Sequence, residues 1–165
     1  MQLNVTTDYA IRSMLYLSQV ERQASSSEIS RAMSIPSNYL YSVMGKLKEA
    51  GYVKATRGVN GGWSLVKEPD DITLLDMIVV MEGTIKINAC LEDGGNCSRD
   101  ASASCQMHDI YCEVQDQLEG YLASVTLANL RDWNWTSIRD YTSRERPAGV
   151  SIYHKDPNRK LEPDE

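Results

Sequence analysis

Metal or redox chemistry in this 165-residue sequence is concentrated in one stretch, which holds all four cysteines, Cys90, Cys97, Cys105 and Cys112, together with His108, one of only two histidines. Six residues separate the first two thiols and seven the next pair. Zinc knuckles and ribbons pair their thiolates at gaps of about two to four residues, so this spacing does not suit a small tetrahedral site. An iron-sulfur cluster is larger and gathers thiolates from an open loop, and its assembly supplies order that the loop lacks. Cys105, His108 and Cys112 stand at i, i+3 and i+7, so a helix starting at Cys105 turns all three toward one face. The even count is also compatible with two disulfides, but a reducing compartment argues for metal or redox chemistry.

That compartment follows from what the chain lacks. The start, MQLNVTTDYA, has neither the basic segment nor the apolar run of a signal peptide, and no later run has the length of a membrane span. The expectation is a cytoplasmic protein with no membrane segment. A hydrophobic content of 42% is enough for a core without disulfide staples. The formal net charge of -6 hides an asymmetry: residues 1–67 carry eight Lys/Arg against four Asp/Glu, whereas residues 68–165 carry nine against nineteen. The basic surface that phosphates require therefore belongs to the N-terminal part.

Around the cysteines, the pattern is mostly helical. Residues 6–22 read as a core helix, capped by its threonines, with Asp8 in the first turn and apolar rows through Ala10, Met14, Leu17 and Ile11, Leu15. Ser26 or Ser27 can cap a short helix, Ile35 and Pro36 break it, and Ser37 can cap a second helix that turns Leu40, Val43, Met44 and Leu47 inward before Gly51. This is the order of a helix-turn-helix. Residues 52–56 and 63–67 pair as two strands about a turn containing Asn60, Gly61 and Gly62, forming a wing. Ser37, Asn38, Tyr39 and Tyr41 then lie at the start and outer side of a recognition helix, with Lys46 farther along, and Lys54 and Arg57 offer charge to a phosphate backbone.

A further helix follows, with Leu74, Leu75, Ile78 and Val79 available to the core. From Cys105 to about Leu130, Ile110, Val114, Leu118, Tyr121 and Val125 form a stripe long enough for a dimer interface, and Ile138 and Tyr141 suggest a last helical turn. A dimer presents two recognition helices to the halves of a palindromic site.

The segments TTDYAIRSMLYLS, IPSNYLYSVMGKLKEAGYVKATRG with NGG in the wing, and the loop ending in CQMH together resemble the winged-helix regulator family that includes IscR, NsrR and CymR. The resemblance covers roughly residues 1–140. It implies a mainly α fold, a winged helix-turn-helix with a small two-stranded β wing and a long dimerisation helix, which binds palindromic promoter DNA as a homodimer. It also implies a [2Fe-2S] or [4Fe-4S] cluster held by Cys90, Cys97 and Cys105. One branch of the family takes its fourth ligand from the position of His108. Another takes an aspartate of the first helix from the other subunit, here Asp8. Cys112 falls outside the three-cysteine pattern and stands as a further candidate, and the gaps between cysteines are wider than the family's commoner spacing. The expected organisation is a DNA-binding domain at 1–82, a cluster loop at 83–104, a dimerisation helix and short terminal helix at 105–146, and a flexible tail at 147–165. The expected function is transcriptional regulation, as a repressor, by cluster status, redox state or nitric oxide. A cluster-free repressor controlled by a thiol or by a protein partner is the alternative. A zinc-stabilised interaction protein and an enzyme are less well supported, since no orienting group or oxyanion site accompanies the Cys/His pair.

Overall fold

The computed structural model describes residues 2–58, 61–94, 97 and 105–132. Residues 1–132 form one compact unit, built around α1 (Val5–Val20). This helix contacts α2 (Ser26–Met33), α3 (Ser37–Glu49), α4 (Leu74–Glu82), α6 (Leu127–Arg131) and the second strand of the wing. Ala10, Met14 and Leu17 of α1 meet Leu40, Val43, Met44 and Leu47 of α3 in one core. Burying each large side chain there contributes about 1.5–3 kcal/mol.

Several caps differ from expectation. The threonines of α1 lie inside the helix, whose cap position is Asn4, and a carboxylate distant in sequence holds its free end. Glu82 accepts the Asn4 amide at 2.8 Å and the Thr7 hydroxyl. The cap of α2 is Ser25, whose hydroxyl accepts from Glu28 N at 3.2 Å, and that of α3 is Pro36, which offers no side-chain acceptor. At the other end of α3, Gly51 with φ of 80° closes the helix as expected. Its amide bonds to Lys48 O and that of Tyr52 to Leu47 O, the pair of reversed bonds that a left-handed residue after a helix permits.

The wing is β1 (Val53–Thr56) antiparallel to β2 (Gly62–Leu65), with Ala55 opposite Trp63. Asn60 of the expected turn lies outside the described residues. The free edge of β2 pairs with Ala24, through Trp63 N to Ala24 O at 2.8 Å and Ala24 N to Trp63 O at 3.0 Å. Trp63 Nε1 also donates to Ser26 Oγ at 2.9 Å, so the wing is tied to the start of α2. Gly62 is required at this crossing, because a Cβ there would lie 2.4 Å from Ala24 O.

In α4, Met77, Ile78 and Met81 are buried, while Val79, read as a core residue, is 41% exposed. The long helical pattern from Cys105 to about Leu130 is interrupted: α5 (Gln106–Ser124) stops at Val125, which is extended, and Thr126 caps the separate α6. The stop has a visible cause. Thr73 and Thr126, each closing a capping box over its own helix, pair backbone to backbone, with Leu74 N to Val125 O and Leu127 N to Ile72 O both at 2.8 Å. Leu127 and Ala128 consequently enter the core. Residues 134–141, read as a loop and terminal helical turn, lie outside the described residues. No described helix is long and apolar enough to cross a membrane.

Candidate cysteine site and recognition surface

Asn38, Tyr39 and Tyr41 stand on the outer side of α3, exposed together with Ser37 at its first turn. Tyr39 meets Tyr9 of α1 edge to face, with ring centroids 5.7 Å apart. Lys46 turns differently: its ammonium donates to Met81 O on α4 at 3.4 Å. Arg57 is exposed where the chain leaves β1. Lys54 lies on β1 itself.

Asp8 lies on α1, paired with Arg12. The same guanidinium donates to Met33 O, at the end of α2, at 2.9 Å and stacks over Tyr9 at 5.0 Å from the ring centre. One side chain thus joins a candidate ligand, the turn of the helix-turn-helix and the aromatic pair that reaches α3. In the sequence the only mark of Arg12 is its i,i+4 spacing from Asp8.

The described cysteines lie on the segment after α4 and on α5, which packs against α4. Cys90 sits in a single 3-10 turn, Ala89–Leu91, and its amide donates to Asn88 Oδ1 at 3.3 Å. Cys105 occupies the cap position of α5, where its carbonyl accepts His108 N at 2.9 Å. Cys112 Sγ lies 3.5 Å from His108 Nε2, so the helical spacing does bring these two together. His108 Nδ1 is buried and has no hydrogen-bond partner among the described residues. All four cysteines are part-exposed, and among the described residues Cys90, Cys105 and Cys112 make no disulfide. Among the described residues, no three His, Cys, Asp or Glu side chains group closely enough to hold a metal ion. Residues 95–96 and 98–104 of the loop lie outside the described residues.

Two further residues went unremarked in the sequence. Glu82 clasps the start of α1, and the Thr7 hydroxyl and Asn4 amide hold its carboxyl below the usual carboxylate range. Gln115 is buried on α5, a polar residue in the row Tyr111, Leu118, Leu122, and that interruption was its only signal.

The sequence model of Rrf2, described as an iron-dependent transcriptional regulator, matches residues 3–132. The chain belongs to the Rrf2 family. Among relatives of this Rrf2 chain, a candidate HTH-type transcriptional regulator of Aquifex aeolicus is 32% identical over 126 residues, 76% of this chain and 88% of that protein. The structure of CymR, the global cysteine regulator of B. subtilis, has 29% identity and a TM-score of 0.68, covering 81% of this chain and 98% of CymR. T. potens IscR, at 23% identity and a TM-score of 0.61 over 89% of this chain and 93% of that one, shares the fold. The winged helix-turn-helix is therefore the common frame, and this Rrf2 chain is a transcriptional regulator by family.

Proposed function

We propose that this Rrf2 regulator is a homodimeric, cluster-dependent repressor that binds palindromic promoter DNA, with Cys90, Cys97 and Cys105 as thiolate ligands and His108 as the fourth. The carrying observation is chemical: the thiols of Cys90 and Cys105 accompany a buried imidazole nitrogen, His108 Nδ1, that has no hydrogen-bond partner among the described residues. Leaving such an atom unsatisfied costs about 1–3 kcal/mol, which a ligand bond offsets. By residue type, three thiols and an imidazole, the donor set suits an iron-sulfur group of either the [2Fe-2S] or the [4Fe-4S] type, although the described side chains do not converge on one point. Asp8, already engaged by Arg12, is the weaker candidate. Such a group supplies iron that reacts with oxidants or nitric oxide and a covalent tie across the loop. Thiol ligands of this kind suit a reducing compartment, here the cytoplasm.

The chain's own residues do the rest. Ser37, Asn38, Tyr39 and Tyr41 face the major groove and Arg57 and Lys54 meet phosphates, whereas Lys46, turned onto the Met81 carbonyl, would have to swing out to join them. Met107, Ile110, Val114 and Tyr121, 43–51% exposed on α5, supply the dimer face. Arg12 ties Asp8, Tyr9 and the Met33 carbonyl together, and through the Tyr9–Tyr39 contact it bears on the placement of α3. Cluster status then selects between dimer states that fit DNA differently.

Operator affinity of the cluster-loaded and cluster-free dimers, measured anaerobically across a salt series, tests this reading. A difference of at least about fivefold, the lower end of ordinary coupling, is expected at every salt concentration. Equal affinities overturn the switch. A second reading, a thiol-controlled repressor, is favoured by the 3.5 Å approach of Cys112 Sγ to His108 Nε2. It predicts an oxidant response that survives iron removal and vanishes in Cys112→Ala.

A further inference from the structure

Gln115 is only 3% exposed, and its carboxamide is spent on one short segment of the chain and one neighbour. Its Oε1 accepts Ile87 N at 2.9 Å, and its Nε2 donates to Glu119 Oε1 at 2.8 Å and reaches Ile85 O at 3.5 Å. Lys86, between them, pairs with the same Glu119 oxygen at 2.7 Å. A carboxamide offers both a donor and an acceptor, and here it catches the carbonyl of one residue and the amide of the residue two farther on. Ile85 adds an apolar anchor, packed with Ile78 of α4 and Leu122 of α5. Residues 85–87 are therefore held to α5 in one register, and a slip by one residue would leave buried backbone groups unpaired.

This segment leads directly to a candidate ligand. Asn88 follows Ile87 and accepts the amide of Cys90, so three chain steps separate the residue gripped by Gln115 from the first thiol. On α5 itself Gln115 lies one helical turn beyond Cys112. We propose that Gln115 is the positioning residue that fixes the Cys90 arm of the loop to α5 and thereby transmits the state of the loop to the helix carrying the dimer face. The anchoring role rests on the geometry alone, and the transmitting role rests on the cluster reading above.

The test uses the full-length, anaerobically prepared protein and three variants. Gln115→Met keeps the length of the side chain and removes both hydrogen-bonding groups. Gln115→Glu keeps an acceptor for Ile87 and loses the donor. Glu119→Gln keeps a carbonyl for Gln115 while uncoupling Lys86. Amide exchange over residues 83–91 of the cluster-free protein, iron content, and the ratio of loaded to cluster-free operator affinity are read for each. In Gln115→Met, exchange over 85–91 rises and the affinity ratio falls toward one, by about fivefold or more, while the iron content stays that of the wild type. Gln115→Glu retains part of the protection and Glu119→Gln retains the full ratio. Wild-type exchange in Gln115→Met overturns the anchor, and raised exchange with an unchanged ratio overturns the transmission. A wild-type ratio of one overturns the cluster reading and the transmission with it, leaving the exchange measurement to decide the anchor. Should Gln115→Met not fold, Gln115→Glu decides by the same two readouts.

Discussion

Arg12 occupies the point at which a candidate ligand and the recognition helix meet: it pairs with Asp8, donates to Met33 O and covers Tyr9. Arg12→Ala removes all three contacts, and the expected result in fluorescence anisotropy is weaker operator binding with a smaller difference between loaded and cluster-free protein. Unchanged binding in both states would remove Arg12 from the route. A second residue makes a pH prediction. Arg22 first, and the Tyr16 hydroxyl second, hold the Glu28 carboxyl down to about 2 from an ordinary 4.5. Because the folded value is depressed, the stabilisation is present above the ordinary value and is lost as pH falls from about 4.5 toward about 2. A carboxyl titration by NMR should give a Glu28 midpoint near 2, moving toward the ordinary range in Arg22→Ala. An ordinary midpoint in the wild type contradicts the pairing. Such residues differ in how far the sequence exposes them. Asp8 and Arg12 share a helix face and are legible as a spacing, whereas Glu82 caps α1 from 75 residues beyond Thr7, and no local pattern announces it.

Elements were legible where burial repeats. The inward rows of α1 and α3 appear in the sequence as periodic apolar residues, and the core uses those same side chains. The break between α5 and α6 was not legible, because Leu118, Tyr121 and Val125 keep a helical period right up to it while tertiary pairing of Thr126 with Thr73 stops the helix. Thr126→Ala removes the hydroxyl that accepts Asn129 N at 3.1 Å. The expected loss is about 1 kcal/mol, read as a fall in melting temperature of about 2–4 °C. An unchanged melt would show the cap to be idle. The wing offers a sharper case. Gly62→Ala places a Cβ against the Ala24 carbonyl at 2.4 Å, so the edge pairing with Ala24 must open. Urea unfolding should register a loss of about 1–3 kcal/mol, as for other overpacked sites. Wild-type stability would mean that the wing is not pinned there.

For the whole molecule, the charge asymmetry and the exposed face of α5 point the same way: a basic N-terminal part for DNA and an apolar helix for a second copy. The double substitution Ile110→Asp with Val114→Asp puts charge on that face. Sedimentation should then give a monomer, with operator binding lost along with the dimer, and a persisting dimer would move the interface elsewhere. The choice of His108 as the proposed fourth ligand was the least legible part of the reading. Helical spacing aligned His108 with Cys112, but only the surroundings of the imidazole distinguish it, through a buried nitrogen without a partner. The measurement that bears most directly on the central claim is iron and acid-labile sulfide per protomer after anaerobic purification, with the visible spectrum, for the wild type and for Cys97→Ala, His108→Ala, Asp8→Ala and Cys112→Ala. Iron and sulfide are expected in comparable amounts in the wild type, lost from Cys97→Ala, lost or greatly reduced in His108→Ala, and retained in Asp8→Ala and Cys112→Ala. A wild-type protein holding neither element, or a Cys97→Ala protein holding as much of both, would contradict the cluster reading.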